Sequence, residues 1–579
     1  MEFYCPKCGY ANSNRSDVSC SACGYVWDER AYESLKKACN IVDETKTKNE
    51  KAEKEKAKQQ KIANEASQKK SDNIVSEKST ENAVLREESG KLIIPEGTTE
   101  IKYGEFKNRS DIKFVVIPEG VKKIAGSAFE KCVNLTNVVM PDSLAEIGNS
   151  AFFGCESLDK VEIPMGVTTI GRSAFRYCKK LTDIVIPDGV TEIDGYTFYG
   201  CENLKKVKIP MGVTTIGEYA FDKCEKLTDV VIPDSVMQLG NGAFYGCESL
   251  NKVEIPMGVT AIGEYTFRVC KKLTDVVIPD SVMQIGKGAF DGCENLKNVK
   301  IPMGVTTIGE YAFRNCNNLT DIVIPDSVEK IGSFAFESCE SLKNVKIRMG
   351  VKAIGEYAFR NCNNLTDIVI PDSVTQIGMQ AFEGCENLTS VKIPMGVTTI
   401  DDGTFSDCKK LTDITLPDSV VKINKQAFEG CKSLENVKVS KGVTDIEESA
   451  FKNCKKLAFV EIPESVKYIG AEAFMGCNEL DTKTKKKIYE LSVEKIADSV
   501  GKEYAYLAPY YLQYKKKHPD CSFKDYVSWA KNYHPGNYAT PEADPDFDRN
   551  NEAIRGGFSS ARCLAKNGEG YITIWIPGI

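Results

Sequence analysis

Histidine and tryptophan are scarce in this chain, 2 and 3 among 579 residues, and both histidines, His518 and His534, lie near the C-terminus. Most of the length therefore offers no imidazole for acid–base work or metal binding. Long apolar runs are missing as well. Stretches such as 114–117 and 571–577 fall far short of the ~20 residues a spanning helix needs, so no membrane span is expected. Charge of one sign does not dominate: 75 basic against 82 acidic residues give a net charge of -7. That balance argues against non-specific attraction to nucleic acid or anionic membrane. The first residues, from Met1 to Cys8, lack the basic flank and apolar core of a secretory leader, and a cytoplasmic location is the expectation. Aromatic residues are absent from 40 to 90, where Lys, Glu, Gln, Asn and Ser prevail and no core can be buried.

What is present is repetition. From Ile94 to about Leu480 the sequence divides every 23 residues, at 94, 117, 140 and so on to 462, giving 17 units. Each approximates Ile-Pro-x-(Gly/Ser)-Val-x-x-Ile-Gly-x-x-Ala-Phe-x-x-Cys-x-x-Leu-x-x-Val-x, and Phe holds its column in all 17, from Phe106 to Phe474. In Leu181-Thr-Asp-Ile-Val-Ile186, Leu181, Ile184 and Ile186 fit inward positions of a short strand, with Asp183 and Val185 outward. Pro187 ends the strand, Val190 and Ile193 turn inward, and Phe198 and Cys201 close the unit before Leu204. One unit cannot bury such a face alone, whereas stacked units can. The position after the second Ile is Gly in 11 of the 16 units from 117 onward, with Asp194, Asp401 and Asn424 among the exceptions, which predicts a left-handed turn at that column. Ala125 and Glu447 fit this less well.

These units resemble the leucine-rich repeats of the BspA-like, or Treponema-type, class, and the resemblance covers about two-thirds of the chain. It implies a curved solenoid with one short parallel strand per unit on the concave side, and a recurrent role in binding proteins. The domain reading is a module at 1–28, a charged helical or disordered linker at 29–90, a leucine-rich-repeat solenoid at 91–484 and a small C-terminal α+β module at 485–579. Within the linker a partly helical stretch is expected near Lys46 to Lys70, and Lys483 to Val500 reads as a helix capping the last repeat.

Of the 23 cysteines, all but Cys39, Cys521 and Cys563 sort into two chemistries. Cys5-Pro-Lys-Cys8-Gly and Cys20-Ser-Ala-Cys23-Gly form two knuckles whose four thiolates can surround one ion tetrahedrally. This pattern resembles the short zinc ribbons at the N-termini of many bacterial proteins, and the expected cofactor is one structural Zn2+ on Cys5, Cys8, Cys20 and Cys23. Four cysteines close the coordination shell, leaving no open position for catalysis. A second set of 16 cysteines, from Cys132 to Cys477, repeats every 23 residues without any histidine, and reads as buried thiols contacting a loop carbonyl.

The units alternate in two types, so the strand face presents two mixed columns. One runs Asp183, Lys206, Asp229, Lys252, Asp275, Asn298, Asp321 and on to Asp367; the other Val185, Lys208, Val231, Glu254, Val277, Lys300, Val323 and on to Val369. Alternation keeps like charges apart. Those columns, with Phe459 as an outward aromatic, are the expected partner-binding surface; a soluble sheet with no partner is the plain alternative.

At the C-terminal end, Tyr504 to Tyr514 and Tyr526 to Tyr533 suggest helices and 571–576 a strand. Cys521 or Cys563 with a histidine lacks any nucleophile spacing, Asp544 to Asn550 lacks the Gly and closing Glu of a calcium loop, and Gly556-Gly557 is too little for a phosphate loop. No enzyme is expected. The expected protein is a monomeric, protein-binding scaffold with no nucleic-acid partner; the alternatives are a surface adhesin, or a C-terminal effector targeted by the repeats.

Overall fold

A computed structural model describes residues 3–4, 11–12, 86–88, 90–492, 558–564 and 571–577. Outside that set lie Cys5, Cys8, Cys20, Cys23, most of the linker, 493–500, the aromatic stretches of 504–533, His518, His534, Cys521, and the acidic and glycine segments from 544 to 557. The chain divides into two units, Met1–Asn82 and Ala83–Ile579. In the first, Phe3–Tyr4 pairs antiparallel with Ala11–Asn12.

The second unit coils every 23 residues, as the repeat predicts. Its first ladder runs from Lys91–Ile93 through rungs such as Asp183–Val185 and Lys206–Lys208 to Phe459–Glu461, with parallel pairing of Asp183 to Lys206 and Val185 to Lys208. The alternation is as read from sequence: Leu181, Ile184 and Ile186 are buried, while Asp183 and Val185 are exposed.

A second parallel ladder corrects the expectation of one strand per unit. It runs from Glu100–Ile101 through Glu192–Ile193 and Thr215–Ile216 to Tyr468–Ile469. Each rung has only two residues, one exposed or half-buried and one isoleucine or leucine pointing inward. The third side of each coil is a run of turns, yet it too is tied to its neighbour. Phe129 N donates to Ala151 O at 2.8 Å and Phe152 N to Ala174 O at 2.8 Å. Three inter-coil hydrogen-bonded sides thus satisfy backbone groups that a buried loop would orphan.

Within the coils the phenylalanines form a continuous stack, from Phe106–Phe129 at 5.3 Å to Phe451–Phe474 at 5.1 Å between ring centroids. Beside it each column cysteine donates its thiol to the Phe carbonyl of the previous coil, as Cys132 Sγ to Phe106 O at 3.1 Å and Cys477 Sγ to Phe451 O at 3.1 Å. This is the carbonyl contact expected of that column. Where Thr replaces Ala next to the stack, its hydroxyl is satisfied locally, as Thr197 Oγ1 to Asp194 O at 2.8 Å.

The glycine column is a second correction. Gly148, Gly217 and Gly309 do not adopt positive φ. A Cβ on Gly148 would stand 2.6 Å from Gly126 N, and one on Gly309 2.7 Å from Gly286 C. Glycine is there because adjacent coils approach too closely for a side chain. The left-handed positions are two residues later and immediately before Cys, occupied for example by Tyr196 (φ 60°) and Tyr177 (φ 61°). That conformation costs energy for a bulky residue; inter-coil bonds such as Tyr196 N to Glu218 O at 2.8 Å hold it.

Both ends of the first ladder are covered, which keeps exposed edges from pairing with other chains. At the start, Arg86–Glu88 folds back antiparallel on Lys91–Ile93. At the end, helix α1 (Thr482–Leu491) is capped by Asp481, whose carboxylate accepts from Thr484 N at 2.9 Å. Its last turn leads to Ser492, which bridges Ile469 at the end of the second ladder. Farther on, Phe558–Leu564 pairs antiparallel with Tyr571–Pro577, in agreement with the strand expected over 571–576. Among the described residues no helix is long and apolar enough to cross a membrane.

Candidate functional site

The strands of the first ladder bond to one another, so their outward side chains make a rigid, regularly spaced face. Asp183, Val185, Lys206, Lys208, Val231, Asp275, Val277, Asp321, Val323, Asp367, Val369 and Phe459 are all exposed on it. Asp229 pairs with Lys206 in the ladder, but its side chain lies outside the described set. Phe459 sits in the last rung, where it ends the column that carries Asp413 and Asn436.

Toward the C-terminal half the acids are joined to amide and hydroxyl neighbours. Asn344 Nδ2 donates to Asp321 Oδ1 at 2.6 Å, and Ser390 Oγ to Asp367 Oδ1 at 3.3 Å. Hydrogen bonds from Thr320 and Asn344 hold the Asp321 carboxyl below the usual carboxylate range, so it stays ionised.

Reading the sequence missed a third column of this face. Three residues beyond the outward strand position, just past the strand end, every second coil carries Met: Met165, Met211, Met257, Met303, Met349 and Met395. The coils between them carry the exposed valines from Val139 to Val369, and these valines and methionines are 44–79% exposed. Apolar side chains therefore occur in every coil over this span, alternating between two columns. Stripes of this extent mark interaction surfaces more often than chance exposure does, and methionine adapts readily to a partner's shape. The sequence signal was available in the alternate-coil Ile-Pro-Met-Gly motif, which reads Ile-Arg-Met-Gly at Met349.

The turn side carries a second cluster that was not anticipated. Arg176 lies over the rings of Phe153, Tyr177, Tyr196 and Tyr199, at 4.5 to 5.7 Å from their centroids. Tyr196 stacks on Tyr219 at 5.3 Å, and Arg172 covers Tyr196 at 4.7 Å. One coil beyond Tyr199, Asp222 is buried, and burial pushes its carboxyl up to about 7. Neither Asp222 Oδ1 nor Arg176 Nε has a hydrogen-bond partner among the described residues.

Among the described residues, few groups are suited to acid–base or nucleophilic work. No histidine is among the described residues. Burial raises thiols of this column such as Cys132, to about 11, and Cys339, to about 12, so these are poor nucleophiles. None of these 16 is in a disulfide. A cavity of about 360 Å³ near the end of the turn side is lined by Asp407, Glu429, Gly430, Lys432, Asn453 and Lys455. No group of three potential metal-ligating side chains occurs among the described residues.

With this geometry in hand, the chain matches the BspA type leucine-rich repeat region in overlapping segments at 86–205, 191–317, 260–385 and 352–481. Among solved structures it is similar to a leucine-rich repeat protein from Bacteroides ovatus ATCC 8483 (27% identity, 72% of this chain and 97% of that chain, TM-score 0.38). It is also similar to a leucine-rich repeat protein of T. pallidum (32% identity, 30% of this chain and 82% of that chain, TM-score 0.29). A third is a leucine-rich cell surface protein from Faecalibacterium prausnitzii A2-165 (22% identity, 67% and 95%, TM-score 0.27). No curated protein matches the chain.

Proposed function

Because the chain belongs to the BspA-type leucine-rich-repeat family, we propose that it is a non-enzymatic binding scaffold whose strand face receives a protein partner. The observation that carries this reading is the unbroken alternation of exposed Val and Met beside the Asp and Lys columns on a ladder too rigid to fold them away. A soluble sheet without a partner has no use for that apolar stripe. The test is cross-linking of the full-length protein in native extract, compared with a Val231→Glu/Val277→Glu/Val369→Glu variant. These side chains touch water, so circular dichroism should be unchanged, while the specific cross-linked species should fall at least tenfold. Equal cross-linking by both proteins would overturn the reading. Fractionation in the same cells separates the cytoplasmic location expected from sequence from surface display.

The N-terminal module is proposed to hold one structural zinc through Cys5, Cys8, Cys20 and Cys23. The two C-x2-C pairs support it, as does the antiparallel pairing of Phe3–Tyr4 with Ala11–Asn12, which flank the first pair. Metal analysis of the full chain should find one zinc, lost in Cys20→Ser; an equal metal content in that variant would reject the assignment.

A further inference from the structure

The strand face carries a periodicity that restricts the conformation of its partner, an inference that rests on the scaffold reading above. Asp275, Asp321, Asp367 and Asp413 recur in every second coil, all exposed and all in the same outward strand position. Five residues later in each of these coils a second exposed aspartate follows, from Asp280 to Asp418, with Val277, Val323 and Val369 lying between the two acids in the first three coils. The intervening coils contribute only Lys300, Lys346 and Lys392 to the same columns, and Lys392 already pairs with Asp372 at 3.6 Å. Eight carboxylates in these columns thus face three lysines, with two more, Lys297 and Lys343, exposed one residue before the outward position. The face is acidic, and its occupant should be basic.

Spacing selects the form of that occupant. Parallel strands stand about 4.8 Å apart, so the acidic coils recur about every 9.6 Å. A polyproline II helix has three residues per turn and rises about 3.1 Å per residue, placing every third side chain on one side about every 9.3 Å. Over the three intervals from Asp275 to Asp413 the mismatch is only about 1 Å. An α-helix repeats its face every seven residues, about 10.5 Å, and drifts by nearly 3 Å over the same span. An extended strand repeats its face about every 6.7 Å and loses register at once. Strand addition is also closed to a partner between Asp275 and Asp413, because the strands there are already paired on both sides, as Asn344–Ile347 is with Asp321–Ile324 and Asp367–Val369.

We propose that the acidic part of the strand face binds a basic, proline-rich segment in the polyproline II conformation, with Lys or Arg at every third position. The cations sit between the paired aspartates, and the proline rings lie on Val277, Val323, Val369 and the neighbouring methionines. A stiff segment loses little conformational freedom on docking, and each added triplet reaches another aspartate pair, so affinity grows with length.

Fluorescence anisotropy of labelled peptides with the full-length protein tests this. A (Pro-Pro-Lys)6 peptide should bind at least tenfold more tightly than a peptide of the same composition with lysines spaced irregularly, and more weakly at 300 mM than at 50 mM NaCl. (Pro-Pro-Glu)6 should not bind, and Asp321→Asn/Asp367→Asn should weaken (Pro-Pro-Lys)6 at least fivefold. Equal binding of the regular and irregular peptides would overturn the proposal, because the face would then be attracting cations without register. No binding of (Pro-Pro-Lys)6, alongside loss of cross-linking in the Val→Glu variant, would reject the polyproline partner and leave the scaffold reading standing. No binding together with unchanged cross-linking would reject both.

Discussion

One column on the turn side, the residue after each stacked Phe, is built in two ways. From Arg268 onward it reads Arg268, Asp291, Arg314, Glu337, Arg360, Glu383, with opposite charges in adjacent coils. Arg268 Nε and Arg314 reach Asp291 at 2.9 Å, and Arg360 Nε reaches Glu383 at 2.7 Å. Earlier in the chain the same column reads Phe153, Arg176, Tyr199, Asp222. There Tyr199 separates the charges by two coils, at 5.4 to 5.7 Å between stacked Phe rings per coil, and Arg176 acts on Asp222 only from a distance. Arg176 turns to aromatic rings, and Asp222 is left buried and short of donors. In a solenoid, nearest-neighbour order along a column decides whether a buried charge is supported or stranded.

The largest test of this contrast removes Asp291. Its carboxylate is almost completely enclosed and accepts from Arg268, Arg314 and Asn315. Asp291→Ala leaves two guanidinium groups facing each other without their counter-charge, which should cost about 3 kcal/mol. Because coupling between coils is local, hydrogen exchange over 268–314 should rise well before that over 420–470. Uniform exchange, or a loss under about 1 kcal/mol on urea unfolding, would remove the difference between the two stretches.

Asp222 should behave in the opposite sense. Its carboxyl is held near 7 in the folded protein, against an ordinary value of 3.8. The folded state therefore binds the extra proton between those values, and stability falls as pH rises from about 4 to about 7. The full shift would correspond to about 4 kcal/mol, nearer 2 once solvent screens the charge. Asp222→Asn should abolish that slope and be the more stable protein at pH 8. Melting temperatures of both proteins from pH 4.5 to 8 check it; parallel curves would show that Asp222 does not titrate in this window.

Much of the architecture follows from residues that vary little. The Phe and Cys columns, and the alternation of Ile184 and Ile186 against Asp183 and Val185, identify the coil and its outward columns. The second ladder was hidden because Glu192–Ile193 is two residues long, too short for any alternation to register. Gly148 was misread because sequence alone does not distinguish a glycine needed for positive φ from one needed for close approach. Tyr196 and Tyr219 hold the left-handed positions instead, where glycine would be guessed. The appearance of Gly242, Gly288 and Gly403 in that same column, all with positive φ, was the available clue. For the site, the Asp, Lys and Val columns were legible from the strand pattern, whereas the methionines fall past the strand end, in all but Met349 after a proline. Pairing across coils was not legible at all for Arg176 and Asp222, since it depends on the order of three side chains 23 residues apart.

The smallest expected effect comes from rebuilding the stranded stretch in the image of the supported one. Tyr199→Arg places a guanidinium one coil before Asp222, the spacing at which Arg268 meets Asp291. The new partner should pull the Asp222 carboxyl downward, since a nearby cation favours its charged form. Against that gain, Arg176 loses the ring 4.5 Å from its guanidinium and acquires a like charge in the next coil. A cation–π contact is worth about 1 kcal/mol, so the two changes nearly offset and net stability at pH 8 should rise by less than about 1 kcal/mol. The informative readout is the pH slope between 4.5 and 8, which should flatten as it does in Asp222→Asn although the acid is retained. If the slope stays as steep as in the parent, burial alone governs Asp222, and the missing neighbour is not what separates the two stretches.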